Sequence, residues 1–216
     1  MKPAQIFAFF HTLAELNPHP ETELAFGNTY QLLVAVVLSA QSTDAGVNKA
    51  TRALFAEVKT PEQMIALGEE GLRAHIKTIG LYNTKAKNVI ALSEALIRDH
   101  KGEVPADRDA LEALPGVGRK TANVVMNCAF GAETFAVDTH VFRVANRTGL
   151  APGKTPAAVE KALEKCVPAP FRLHAHHWLI LLGRYTCKAR APLCWRCPVA
   201  GECGFKDKAV EAPKRC

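Results

Sequence analysis

Aromatic side chains are scarce in this 216-residue chain, at 7% of the residues, and no long stretch alternates apolar with polar positions. Both deficits argue against sheets, whose strands are rich in aromatic and β-branched residues at period two. Charge is also thin, 22% of residues against 48% hydrophobic, a balance that excludes an intrinsically disordered chain. The longest apolar run, Leu32 to Leu38, is too short to span a bilayer. No apolar segment follows a basic start between Met1 and Pro20, so no secretory signal is expected. Internal repeats and low-complexity segments are absent. These exclusions leave a soluble, cytosolic globular protein, long enough for one large domain or two small ones.

Cysteine is sparse as well, until the C-terminal end. Four of the seven cysteines fall in one C-x6-C-x2-C-x5-C pattern, at Cys187, Cys194, Cys197 and Cys203. In a reducing compartment such a cluster points to metal more often than to disulfides. The spacing matches neither the ferredoxin run nor the paired pattern of zinc ribbons. On the residues alone, four thiolates can close a zinc site or hold an iron–sulfur centre. The basic excess sits here too. Residues 183–216 carry eight Lys and Arg against three Asp and Glu, which is +5 of the total +6. A polyanion would be drawn to this segment.

The rest of the chain reads as helices. Candidates are Pro3–Leu16, Thr29–Ala40, Asp44–Glu57, Thr84–Asp99, Arg108–Ala113, Gly118–Phe130, Thr139–Thr148, Thr155–Lys165 and Leu173–Tyr185. Proline and glycine punctuation at Asn17-Pro18, Leu114-Pro115-Gly116, Ala151-Pro152-Gly153 and Pro168-Ala169-Pro170 separates one element from the next. A middle region from about Glu21 to Gly131 has enough Leu, Val and Ala to bury its own core. The segment from Ala132 onward ends in the cysteines. Periodicity does not decide which of the two the N-terminal helix joins.

Leu111 to Val125, L-E-A-L-P-G-V-G-R-K-T-A-N-V-V, joins two helical patterns through a turn with glycines at 116 and 118. Val117 is expected to point inward, with Leu111 and Leu114 packing the two helices together. The amides opening the second helix then point out of the turn, where they bind a phosphate without reading a base.

L-P-G-V-G-R-K-T-A resembles the helix-hairpin-helix motif of DNA-repair glycosylases. Further landmarks follow in order: L-S-A-Q-S-T-D (38–44), I-G-L-Y-N-T-K-A (79–86), F-A-V-D-T-H-V-F-R-V-A-N-R (135–147) and H-H-W-L-I-L-L-G-R-Y-T-C (176–187). With the cysteines, nearly the whole chain resembles the endonuclease III family of that superfamily. The resemblance implies an all-α fold. A six-helix barrel domain would span residues 22–132, with the hairpin at about 108–127. Residues 1–21 and 133–216 would form a domain holding a [4Fe–4S] cluster on Cys187, Cys194, Cys197 and Cys203.

It also implies a bifunctional DNA glycosylase and abasic-site lyase of base excision repair. The implied partner is double-stranded DNA carrying oxidised pyrimidines or abasic sites. The protein would act as a monomer without membrane contact, in the cytoplasm and at the nucleoid if the source is bacterial. Lys120 matches the attacking amine, which forms a Schiff base with C1′ and so permits β-elimination. Asp138 matches the catalytic aspartate, and alone it reads as an N-cap. Gln41 and Leu81, with Ile79 beside them, match the residues that fill the gap left by a flipped base. Gly116 and Gly118 match the phosphate-gripping hairpin, and Lys188 and Arg190 the basic loop between the first two cysteines. That loop departs from the family pattern by carrying uncharged Ala191 and Leu193.

Two alternatives stand beside this reading. One is a monofunctional mismatch or adenine glycosylase of the same fold; relatives of that kind generally lack a lysine at position 120. The other is a zinc-stabilised DNA-binding module without enzymatic activity. His174, His176 and His177, next to Trp178, are expected to pack and cap instead of binding metal. Cys128 and Cys166 read as small buried hydrophobes, and Cys216 has no assigned role. The preferred lesion is not written in the pocket residues.

Overall fold

The structure, a computed structural model, describes residues 1–209 and 211. Among them the regular secondary structure is entirely helical, as composition predicts. The chain divides into two compact units, a middle unit of Thr22–Gly131 and a terminal unit made of Met1–Glu21 and Ala132–Cys216.

The middle unit holds α2 (Thr29–Leu38), α3 (Asp44–Glu57), α4 (Pro61–Ile76), α5 (Tyr82–His100), α6 (Arg108–Glu112) and α7 (Arg119–Phe130). The apolar run Leu32 to Leu38 is the middle of α2, where every residue from Tyr30 to Leu38 is buried. A helix apolar on all sides must be surrounded by others, and α3, α5 and α7 pack around this one. Its one buried amide side chain is fully used. Gln31 accepts from the Gly27 N–H (2.7 Å) and donates to the carbonyls of Phe55 (2.9 Å) and Val58 (2.8 Å). It thereby ties the chain before α2 to the end of α3.

Helix α4 escapes the sequence reading. Its start is well marked by Thr60, whose hydroxyl accepts from the Gln63 N–H, and by Pro61 in the first turn. Gly68 then breaks it with φ 74° and ψ 168°, so the 3.6-residue apolar repeat is interrupted halfway. Met64, Leu72 and Ile76 are nonetheless buried completely. Helix α2 ends two residues earlier than its apolar pattern, at Leu38, and leaves Ala40 and Gln41 in a turn.

The terminal unit contains α1 (Pro3–Leu16), α8 (Thr139–Thr148), α9 (Pro156–Cys166) and α10 (Arg172–Tyr185). Ile6, Phe9, Phe10 and Leu13 of α1 share one core with Val141, Val144, Leu163, Phe171, Trp178 and Leu182. The Trp178 indole N–H donates to the Asn17 carbonyl at 2.8 Å. Helices α8 and α10 cross closely at Gly183, where a Cβ would lie 2.9 Å from His140 Cβ and 3.1 Å from Val144 Cγ2. The histidines pack, as expected. His176 and His177 are buried with ring centroids 3.9 Å apart, and His174 meets the Trp178 ring edge-on at 5.6 Å.

Burial, with a smaller push from His174, lowers the His177 pKa from 6.5 to about 4. The unfolded chain therefore takes up a proton between pH 6.5 and 4 that the folded chain refuses. Stability is complete above the unfolded pKa and falls as pH drops through that window, by about 3 kcal/mol for a shift of this size. Urea midpoints measured from pH 7.5 to 4.5 should fall more steeply for the wild type than for His177→Gln. Parallel slopes for the two would contradict the assignment.

Candidate active site and nucleic-acid interface

In the hairpin of the middle unit, Asp107 caps α6 by accepting from the Ala110 N–H at 2.8 Å. Leu114 and Val117 close successive turns, their amides donating to the carbonyls of Leu111 and Leu114 at 3.1 Å each. Leu111, Leu114 and Val117 are all buried, as the pattern requires. The two glycines differ in purpose. Gly116 has φ 77°, and a Cβ there would sit 2.8 Å from Asn88 Cβ, so the fold itself excludes a side chain. At Gly118 a Cβ would meet nothing within 4 Å.

Gly118 is the N-cap of α7, and no side chain caps that helix end. Asn28, Thr43, Thr60, Asp107, Asp138 and Thr155 all cap their helices with side-chain oxygens. The uncapped, open end of α7 leaves room for an anion at the positive end of the helix. Arg119 is drawn back to Glu112 at 3.6 Å, and Lys120 in the same first turn is exposed.

Two further turns of this unit adopt a conformation that side chains rarely take. Gln41 has φ 54° and Leu81 φ 58°, an arrangement costing roughly 1–2 kcal/mol per residue. They are neighbours, since a Cβ on Gly80 would lie 3.7 Å from the Gln41 carbonyl oxygen. Leu81 is 57% exposed although its backbone is fixed by the start of α5. Ile79 differs from the other two: it is 5% exposed and forms the floor of the turn, not its tip. Lys85, one helical turn beyond Leu81, is buried, and its ammonium donates to the Ser42 hydroxyl at 2.8 Å. Burial lowers its pKa. Sequence reasoning missed this link, which joins the Gln41 turn to α5 across more than forty residues.

In the terminal unit, Asp138 is the N-cap of α8. Its Oδ1 accepts from the N–H groups of His140 and Val141, both at 2.8 Å, and the side chain remains half-exposed. The cap fixes the carboxylate without hiding it.

The four cysteines line one cavity together with Arg147, Thr148, Leu182 and Phe205. Residues 187–193 form a loop on which Lys188 and Arg190 are exposed. The donor set fits a soft metal centre. Sulfur is the softest ligand a protein offers, and N–H groups already point at two of the sulfurs. The Phe205 amide lies 3.4 Å from Cys203 Sγ and Arg147 Nη1 lies 3.6 Å from Cys187 Sγ. Burial pushes the Cys197 thiol up to about 11, with the three neighbouring thiols adding to the shift. A cation reverses that preference, because coordination deprotonates a thiol outright. Among the described residues no group of three or more His, Cys, Asp or Glu side chains forms a ready-made site for a single metal ion. The remaining described cysteines differ. Cys128 and Cys166 are half-buried, and burial raises both thiols, Cys128 to about 11. Cys216 lies outside the described residues.

Residues 34–169 match the family described as HhH-GPD superfamily base excision DNA repair protein. Endonuclease III of Escherichia coli (strain K12) is 57% identical over 208 residues, 96% of this chain and 99% of that protein. Endonuclease III of Treponema pallidum (strain Nichols) is 56% identical over 92% of this chain and 94% of its own length. Among solved structures, a trapped endonuclease III–DNA covalent intermediate superposes with TM-score 0.88 at 46% identity, covering 94% of this chain and 96% of that one. A thermostable thymine-DNA glycosylase superposes with TM-score 0.79 at 27% identity, covering 96% and 95%. Matched over nearly its full length, the chain belongs to the endonuclease III family of helix-hairpin-helix base excision DNA repair proteins.

Proposed function

We propose that the protein is a bifunctional DNA glycosylase and abasic-site lyase that removes oxidised pyrimidines from duplex DNA. The observation that carries the reading is the exposed amine of Lys120 in the first turn of the uncapped helix α7. A phosphodiester held by the amides of the Gly116–Gly118 turn brings the sugar within reach of that amine.

The damaged nucleotide must first leave the stack, which costs least for a base that already stacks poorly. Leu81, apolar and exposed on a rigid turn, wedges into the duplex, while Gln41 fills the vacated position; Ile79 seats the Leu81 turn from beneath. The Lys120 amine then attacks C1′, and the N-glycosidic bond breaks with its electrons leaving on the base. Ring opening gives a Schiff base between Lys120 and C1′. Loss of a C2′ proton expels the 3′ phosphate, and water releases the enzyme from the imine. Asp138 stabilises positive charge developing on the sugar and assists these proton transfers. A monofunctional enzyme needs no amine at position 120, and Lys120 favours the bifunctional reading over that one.

The four cysteines hold a [4Fe–4S] cluster, whose chemistry when bound is that of a structural cross-link ordering residues 187–203. Membership of the endonuclease III family favours the cluster over a closed zinc site at these four sulfurs. Lys188 and Arg190 then meet the DNA backbone. Among the described residues no helix is long and apolar enough to cross a membrane, and we assign the protein to the cytoplasm.

The test is a nicking assay on duplexes carrying single defined lesions. Cleavage at thymine glycol and at abasic sites is expected, with undamaged duplex left intact. Inactivity on thymine glycol beside good activity on a mismatch would overturn the substrate assignment.

A further inference from the structure

Arg147 ends the F-R-V-A-N-R stretch of α8 and plays no part in the chemistry above. Its guanidinium is nevertheless among the most heavily engaged groups of the terminal unit. Nη1 donates to the Lys188 carbonyl at 2.6 Å and Nη2 to the Ala189 carbonyl at 3.1 Å. Nη1 also lies 3.6 Å from Cys187 Sγ. The guanidinium carbon sits 5.2 Å from the centre of the Phe205 ring. Phe205 is itself tied down, since its amide points at Cys203 Sγ and the preceding Gly204 N–H donates to the Thr148 carbonyl at 2.8 Å. One planar cation therefore touches the chain just after the first cysteine and just after the last.

From this geometry we propose that Arg147 is a positioning residue for DNA binding. It grips the backbone carbonyls of the loop between Cys187 and Cys194, so that the exposed side chains of Lys188 and Arg190 face the phosphates in a fixed register. The proposal rests on the reading that these two side chains contact DNA. The loop needs such a grip, because Ala191 holds a left-handed conformation (φ 47°) with no glycine to ease it, and few large apolar residues anchor the segment. A planar fork suits the task. Two carbonyls and a sulfur lie within reach of adjacent guanidinium nitrogens, whereas an ammonium is a single point of charge.

The experiment compares the full-length, cluster-loaded wild type with Arg147→Met and Arg147→Lys. It reads iron per protein, hydrogen exchange of the amides of residues 187–193, and the salt dependence of binding to an abasic-site duplex under non-cleaving conditions. Both variants are expected to keep their iron and to exchange faster in the loop. Because neutralising one phosphate contributes about 0.9 to the salt slope, losing the contacts of Lys188 and Arg190 should reduce it by about 1.8. Affinity at low salt should fall roughly tenfold or more. Cleavage at saturating enzyme in single turnover should remain near the wild-type rate.

Unchanged loop exchange in Arg147→Met would overturn the proposal. So would full rescue by Arg147→Lys, since charge alone would then suffice. Loss of iron from both variants would also overturn it, by making Arg147 a requirement for cluster retention. Lys188→Ala combined with Arg190→Ala separates the underlying reading. If that pair leaves the salt slope intact while Arg147→Met still frees the loop, the phosphate contacts fail and the grip stands. If the pair lowers the slope and adding Arg147→Met lowers it no further, both hold.

Discussion

Lys120→Ala is expected to abolish strand cleavage at abasic sites, lowering the single-turnover rate by at least about a thousandfold, as removal of an attacking group does elsewhere. Borohydride reduction of the wild-type reaction should yield a covalent protein–DNA adduct, because the imine becomes a stable secondary amine. The variant should yield none. Its binding to an abasic duplex should change by only a few fold, since the hairpin amides, the Gln41 and Leu81 turns and the cysteine segment are untouched. The fold should survive as well. Lys120 is exposed, and alanine is the best helix former at such a position. An adduct that persists in Lys120→Ala would transfer the nucleophile to another amine and remove the role assigned to Lys120.

Cys197→Ser should have the opposite profile. Serine preserves the size of the side chain but offers a hard, far less acidic donor in place of a thiolate. Iron and sulfide per protein are expected to fall sharply. Residues 187–203 should become susceptible to protease, and DNA affinity at low salt should drop by about tenfold or more as the basic loop loses its order. Protein that still binds DNA should retain Lys120 and remain able to form the borohydride adduct at high concentration. A Cys197→Ser protein that stays folded and binds DNA normally would overturn the scaffold role of the cluster. The pair of variants separates positioning from chemistry: one keeps its iron and loses the reaction, the other loses its iron and keeps the reactive amine.

Much of this site is legible in the sequence because its devices are local. Leu114-Pro115-Gly116 announces a turn, and the helix that follows Gly118 is fixed by the apolar pattern of residues 122–125. Asp138 before an amphipathic run reads as an N-cap, and the cap is present. The cysteine spacing needs no fold at all to suggest a shared metal. What escapes is long-range or conformational. Helix α4 is hidden by Gly68, which halves the apolar repeat. Ile79 and Leu81 look alike in I-G-L, yet one is buried and the other exposed, because Gly80 and the left-handed backbone of Leu81 reverse the direction between them. Lys85 and Arg147 read as ordinary surface cations until partners more than forty residues away draw them in.

The terminal unit is discontinuous in sequence, and this constrains the order of events during synthesis. Helix α1 leaves the ribosome before the middle unit, with Ile6, Phe9, Phe10 and Leu13 ready to be buried, but the residues that bury them start only after Ala132. The middle unit is contiguous and can close while the rest is still being made. For that interval α1 is an amphipathic segment without the core that later buries it. Its shelter arrives only with α8 and α10, and the cysteines emerge after both. On the proposed cluster reading, iron and sulfide act late, on a chain whose hairpin and lysine are already formed.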